Sequence, residues 1–280
     1  MKIKSLLTRS VSGLIYCLII VGCILWGMTG AIVLALLLGG LACVELTKIN
    51  HELSWRQAPA LALDMCGIFC LAFAGTESAG VFALLLWLFV LICRLVEQLY
   101  LRSPQPLKDM AVSALTQVYI GVPMMLMVLL AELMHPHVLL ALFFLIWIND
   151  TGAFLVGSAV GRHRLFERIS PKKSWEGFFG GLIFTVAASA AFGHWCNHFF
   201  LGTAWMSLWG WMGLGLIVTV FATWGDLVES MIKRDLKIKD SGNIIPGHGG
   251  ILDRIDSLLL VLPAATLYFF FTACFTGFLG

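Results

Sequence analysis

The residues best equipped for chemistry lie between Ser230 and Ser257, in the run SMIKRDLKIKDSGNIIPGHGGILDRIDS. Four cations open it: Lys233, Arg234, Lys237 and Lys239. Asp240 and the turn-forming Ser241-Gly242-Asn243 follow, then Pro246-Gly247-His248-Gly249-Gly250, and the run closes on Asp253-Arg254-Ile255-Asp256. Glycines let backbone N–H groups approach an anion closely, and successive N–H groups form an anion-binding nest. Lysine and arginine add donors suited to phosphate. Carboxylates are the hard oxygen ligands that Mg2+ takes, often one or two per ion beside substrate phosphates. Just upstream, Asp226, Glu229, Ser230 and Lys233 stand at i, i+3, i+4 and i+7 and so share one helix face. Asp253, Asp256 and Ser257 do the same at the start of the next apolar segment. Two helix ends thereby bring acids together across a basic, glycine-rich loop. That combination suits a divalent metal gripping a polyphosphate. A solvated positive loop beside anionic lipid would explain the lysines. It would not explain acids at both helix ends, or four glycines and a proline between Gly242 and Gly250.

The elements that must position these residues are apolar. Of the 280 residues, 60% are hydrophobic and 12% charged, about half the charge of a soluble domain. Nine runs have the character of membrane helices, which need roughly 20 residues. They cover 11–28, 30–46, 59–75, 79–97, 110–132, 137–157, 174–197, 204–229 and 256–276. The expected fold is therefore all-α: a polytopic integral membrane protein with about nine transmembrane helices. A single membrane-embedded catalytic domain is expected over 1–280, with polar loops 158–174 and 230–256 forming the site. With nine spans, all 18 Lys and Arg residues fall on one side. The positive-inside rule makes that side the cytoplasm, with the N-terminus inside and the C-terminus outside. The first apolar run, from Val11, is expected to be a retained helix rather than a cleaved leader. The eight cysteines have no zinc-like spacing and are expected to pack.

Acids inside the spans need partners or water, because a central charge costs about 2.5–3.5 kcal/mol on insertion scales. Asp150 and Asp226 lie near the inner ends of their spans and are expected to open onto one cytoplasm-facing cavity. Asp64 is placed to pair with Arg94. A second basic loop, Ser170-Pro171-Lys172-Lys173-Ser174, precedes span seven, and Ser174 is placed to cap that helix and aim N–H groups at an anion. The residues alone serve equally well as a positive-inside anchor followed by a glycine packing motif.

The stretch Ser230–Ser257 resembles the signature of the phosphatidate cytidylyltransferases (CDP-diacylglycerol synthases), S-x-x-K-R-x4-K-D followed by P-G-H-G-G-x-x-D-R-x-D. It is met by Ser230, Lys233-Arg234, Lys239-Asp240, Pro246 to Gly250, Asp253-Arg254 and Asp256. Two further segments are similar to the family: Trp147–Phe154, where Phe154 stands in place of a common Tyr and gets no polar role, and Ser170–Gly177, where Ser174 keeps the hydroxyl of a common Thr. The resemblance implies that CTP and phosphatidate give CDP-diacylglycerol and pyrophosphate, for phospholipid synthesis. It implies Asp226 and Asp253 as the foremost Mg2+ ligands with Asp256 and Asp150 next, a second cation being left open. Lys233 and Arg254 join Asp226, Asp253 and Asp256 in catalysis. Asp150, Ser170, Lys172, Lys173, Ser174, Glu229, Ser230, Arg234, Lys239, Asp240, His248, Gly249 and Gly250 are the expected substrate contacts. The expected setting is a bacterial inner membrane, with membrane lipid around the chain, a homodimer as the candidate assembly and no nucleic-acid partner. Two other readings use the same features: a CTP-dependent kinase of a lipid alcohol, and an ion-coupled transporter using Asp64, Asp150 and Asp226. The aspartate motif of the CDP-alcohol phosphotransferases is absent from the chain.

Overall fold

The computed structural model describes residues 2–50, 57–134, 136–195, 206–247 and 249–276, with side chains described from Ser10 to Ala273. Apolar segments in lipid must satisfy their backbone internally, and here they do so as helices. These are α1 (Lys2–Leu25), α2 (Met28–Asn50), α3 (Ala58–Ala74), α4 (Gly80–Tyr100), α5 (Pro106–Thr116), α6 (Val122–Leu133), α7 (Pro136–Val160), α8 (Trp175–Trp195), α9 (Leu208–Asp235) and α10 (Leu252–Thr276). Prolines stand in the first turns of α3 and α5, where a missing N–H costs nothing. The protein is an integral membrane protein, built almost wholly of helix. Among the described residues seven helices are long and apolar enough to cross a membrane. The first and third expected spans correspond to the shorter apolar helices Ser10–Leu25 and Ala58–Ala74, so length and composition qualify seven of the nine.

The chain divides into two compact units. The first holds residues up to Pro136 together with Asp235–Ile255; the second holds His137–Arg234 and the chain from Asp256 onward. In the first unit, α5 and α6 run as one 28-residue apolar segment, Pro106–Leu133, joined through the π-helical turn Gln117–Gly121. Such turns re-aim side chains inside a helix. Here Gln117 donates from Nε2 to the carbonyl of Asp64 (2.9 Å) and accepts from Trp87 Nε1 (3.2 Å). The Asp64–Arg94 pairing expected from the sequence is present, Nε to Oδ1 at 3.7 Å, and Ser113 donates to the same carboxylate. Arg94 also reaches Glu97 (2.8 Å) and Gln98 (2.9 Å). It is a buried helical residue, inside the span expected over 79–97.

The second unit corrects several boundaries. α9 continues six residues past the expected end at 229, so Lys233 and Arg234 are helical and not in the loop. α10 starts at Leu252 instead of 256, which puts Asp253 in its first turn; that turn lies in the first unit. The basic loop after α7 carries a small antiparallel hairpin, β1 (Arg164–Phe166) with β2 (Ser170–Ser174), in register Arg164 with Ser174 and Phe166 with Ser170 across a bulge. The glycines expected to permit close packing do so: a Cβ at Gly177 would lie 3.2 Å from the Cα of Gly157.

Candidate functional site

The acids of α9 and α10 meet because a glycine lets the helices touch. A Cβ at Gly225 would fall 2.6 Å from the carbonyl oxygen of Asp256 and 2.9 Å from the Cα of Ser257. Ser257 Oγ seals the contact by donating to the carbonyl of Ala222 (3.1 Å). One carboxylate oxygen from each of Asp226, Glu229 and Asp256 then lies within 4.8 Å of the other two. A cation bound at about 2.0–2.6 Å per oxygen spans such a set, and three carboxylates are the donors that a hard divalent ion prefers. Among the described residues this is the group of acids with metal-ligand geometry.

Lysines balance the cluster. Glu229 is fully buried, a burial that a carboxylate sustains only with a partner, and it is ion-paired with Lys233 one turn on. Lys173, reaching in from β2, places Nζ 2.7 Å from Asp226 Oδ2 and 3.3 Å from the carbonyl of Thr223. Ser230 Oγ donates to the other oxygen of Asp226 (3.2 Å). The i, i+4 spacing read from the sequence thus appears twice on one face, as Asp226–Ser230 and Glu229–Lys233. Two ammonium groups against three carboxylates leave a formal excess of one negative charge, which favours a further cation.

Beside the cluster is a cavity of about 610 Å³ within the second unit. Asp150, Asp226, Lys172, Lys173, Arg164 and Ser174 are among the residues lining it. Asp150 and Asp226, expected to share one cavity, do share it. Ser174 caps α8 as the sequence suggested: its Oγ accepts from the N–H of Gly177 at 3.1 Å. Glu176, unassigned by the sequence reading, straps the chain before β1. Its carboxylate accepts from the N–H groups of Arg162 (3.1 Å) and His163 (3.2 Å) and pairs with His163 Nδ1 at 2.6 Å. Arg234 donates from Nε to the carbonyl of Ile169 (3.4 Å), next to Ser170. The cavity therefore presents cations and acids together, on walls that backbone bonds hold in place.

The remaining motif residues belong to the first unit. Asp253 does not point outward from α10. Its Oδ2 accepts from Ser241 N (2.9 Å), Ser241 Oγ (3.0 Å) and Gly250 N (2.9 Å). Lys239, Asp240 and Arg254 are exposed, and the carbonyl of Arg254 accepts from Tyr16 Oη (3.2 Å). Gly249 is in the left-handed region, φ +85°. His248 lies outside the described residues. Sequence reasoning gave Glu229 a substrate contact, and the structure puts it among the clustered acids. It missed Glu45 altogether, although the one acid of α2, next to last in the expected span, was a signal, since such a charge demands a partner. The carbonyl of Thr223 left no trace in the sequence.

This fold and this site define a helical, membrane-embedded protein with a cluster of three acids beside a cavity lined by cations. A model of the cytidylyltransferase family matches residues 7–272, and the chain belongs to that family. A phosphatidate cytidylyltransferase of Staphylococcus aureus is 45% identical over 127 residues, covering 45% of this chain and 46% of the relative. One of Haemophilus influenzae is 42% identical over 133 residues, 48% of this chain and 46% of the relative. One of Staphylococcus epidermidis is 42% identical over 121 residues, 43% of this chain and 44% of the relative. The aligned part of the chain thus spans a little under half the length of these curated relatives.

Proposed function

We propose that the protein transfers the cytidylyl group of CTP to phosphatidate, giving CDP-diacylglycerol and pyrophosphate. The observation that carries this reading is the cluster of Asp226, Glu229 and Asp256 meeting Lys173 at the wall of a basic cavity, in a membrane protein of the cytidylyltransferase family. The names of the curated relatives supply the lipid substrate.

In this reading a phosphate oxygen of phosphatidate attacks the α-phosphorus of CTP. The new P–O bond forms as the bond to the bridging α–β oxygen breaks, and pyrophosphate leaves with that electron pair. The nucleophile is already ionised, so no strong general base is needed, and catalysis rests on placement and charge neutralisation. Asp226, Glu229 and Asp256 fit Mg2+ by donor type and spacing. Mg2+ held there would neutralise phosphate charge as it shifts to the leaving group. Lys173 is held between Asp226 and the carbonyl of Thr223 until a phosphate competes for it. Lys172 and Arg164 on the cavity wall supply further donors to phosphate oxygens. Ser174 keeps the N-terminus of α8 in place beside that wall. The cavity faces the cytoplasm, where CTP is found, and the lipid substrate comes from the surrounding inner membrane. The N-terminus then lies on the cytoplasmic side and the C-terminus outside.

The test is turnover by purified protein in detergent with phosphatidate, radiolabelled CTP and Mg2+, against an EDTA control. CDP-diacylglycerol that forms only with the metal is the expected result. Folded protein that labels a lipid alcohol instead, or that yields no nucleotide-dependent product, would overturn the reading.

A further inference from the structure

A phosphate seeks free N–H donors at a helix N-terminus or in a glycine-rich turn. In the turn before α10, key donors of this kind are already taken. Ile251 N and Leu252 N donate to the two oxygens of Glu45, each at 2.9 Å. Gly250 N and Ser241 N donate to Asp253 Oδ2, again at 2.9 Å. Ser241 Oγ stands 3.1 Å from Glu45 Oε2 and 3.0 Å from Asp253 Oδ2, and its single proton serves one of them at a time. The nest is filled by two of the chain's own carboxylates.

The backbone is shaped around them. A Cβ at Gly242 would fall 2.6 Å from Glu45 Oε1, and one at Gly249 would fall 2.7 Å from Asp253 Oδ2. One at Gly250 would collide with Ser241 Oγ and Glu45 Oε2. These three glycines make room for carboxylates. Glu45 is 2% exposed and comes from α2, about 200 residues away in sequence. A buried carboxylate with two charge-assisted bonds to backbone N–H groups is a strong tether.

We propose that Glu45 is a positioning residue for the reaction. It fixes the turn between Ser241 and Leu252 by occupying its N–H donors, and it touches no substrate. The proposal rests on the cytidylyl-transfer reading for its effect on turnover, and on the hydrogen bonds alone for its effect on the turn. Glutamine keeps the size of Glu45 but loses the charge and sets an NH2 group against a backbone donor. Aspartate keeps the charge and falls one methylene short.

The experiment compares wild type, Glu45→Gln, Glu45→Asp, Ser241→Ala and the Glu45→Gln/Ser241→Ala double variant. The readouts are kcat per folded molecule, amide exchange of residues 240–256 and thermal unfolding. Glu45→Gln is expected to lower kcat at least tenfold and to speed exchange at Ile251 and Leu252 at least tenfold. Glu45→Asp should recover part of both, and the double variant should fall no further than Glu45→Gln. A kcat within twofold of wild type with only the unfolding midpoint lowered would reduce Glu45 to a stability role and overturn the proposal. So would unchanged exchange at Ile251 and Leu252. If Glu45→Gln does not fold, Ser241→Ala decides: at least threefold loss of kcat with faster exchange at Gly250 supports the tether, and no change in either removes it. Exchange needs no substrate, so a wild type that makes no CDP-diacylglycerol sinks the reading of function while the exchange arm still judges the tether.

Discussion

Adding one methyl group at Gly225 should disable the acid cluster proposed to hold Mg2+ without removing any of its carboxylates. In Gly225→Ala the new Cβ sits 2.6 Å from the carbonyl oxygen of Asp256, where ordinary contact begins at 3.4 Å. The opposing atoms are backbone of α10, so no side chain can swing aside. The helices must separate or rotate by roughly 0.8 Å, the difference between those two distances. Overpacking of this kind costs about 1–3 kcal/mol of stability. The larger effect is on Asp226, Glu229 and Asp256, whose oxygens now lie within 4.8 Å of one another. A displacement near 1 Å at reacting groups lowers rates by about 10²-fold. A fall in kcat of about 10- to 100-fold is therefore expected, with a higher half-saturating Mg2+ concentration. The assay is the initial rate of CDP-diacylglycerol formation across a Mg2+ series. Gly22→Ala, where a Cβ meets nothing within 4 Å, is the control and should be neutral. Gly225→Ala activity within twofold of wild type at every Mg2+ concentration would refute the link between helix spacing and the cluster.

Other variants probe the neighbouring parts. Asp226→Asn should abolish metal-dependent turnover with little loss of stability, because its side chain is only partly buried; Asp253→Asn should lower both, since that carboxylate ties down Ser241 and Gly250. The two are separated by pairing turnover with thermal unfolding. Ser174→Ala removes the cap of α8 and should cost about 1 kcal/mol, read as a lower unfolding midpoint. Arg94→Met leaves Asp64 without its buried cation and should destabilise by about 3–5 kcal/mol. Most of that loss should return in the Asp64→Asn/Arg94→Met double variant, as measured by the same unfolding assay.

Much of the fold was legible because membrane helices announce themselves by composition, and their borders failed for physical reasons. The charged last turn of α9 reads as loop in a hydropathy scan, yet Lys233 pairs with Glu229 four residues back and so keeps the helix going. α10 begins early because Glu45 and Asp253 satisfy the N–H groups around its first turn, one of them from a helix that no local pattern could connect to it. In the site, helical periodicity gave the shared face of Asp226, Glu229 and Ser230. Asp256 needed tertiary contact to join them, and the sign of that contact was Gly225, which looked like any other membrane glycine. The motif glycines pointed to an anion, and the anions they surround in this structure belong to the chain itself.

The tether on Glu45 also orders events during synthesis. Glu45 is made early, and its first backbone partner, Ile251, follows 206 residues later. At about 5–20 residues per second, the ribosome needs roughly 10–40 s to supply it. Through that interval a carboxylate destined for burial has to stay in contact with water or borrow another donor. The turn carrying the motif therefore gains its clasp only after Ile251 and Leu252 have been made, and a chain released before Ile251 lacks both backbone donors to Glu45.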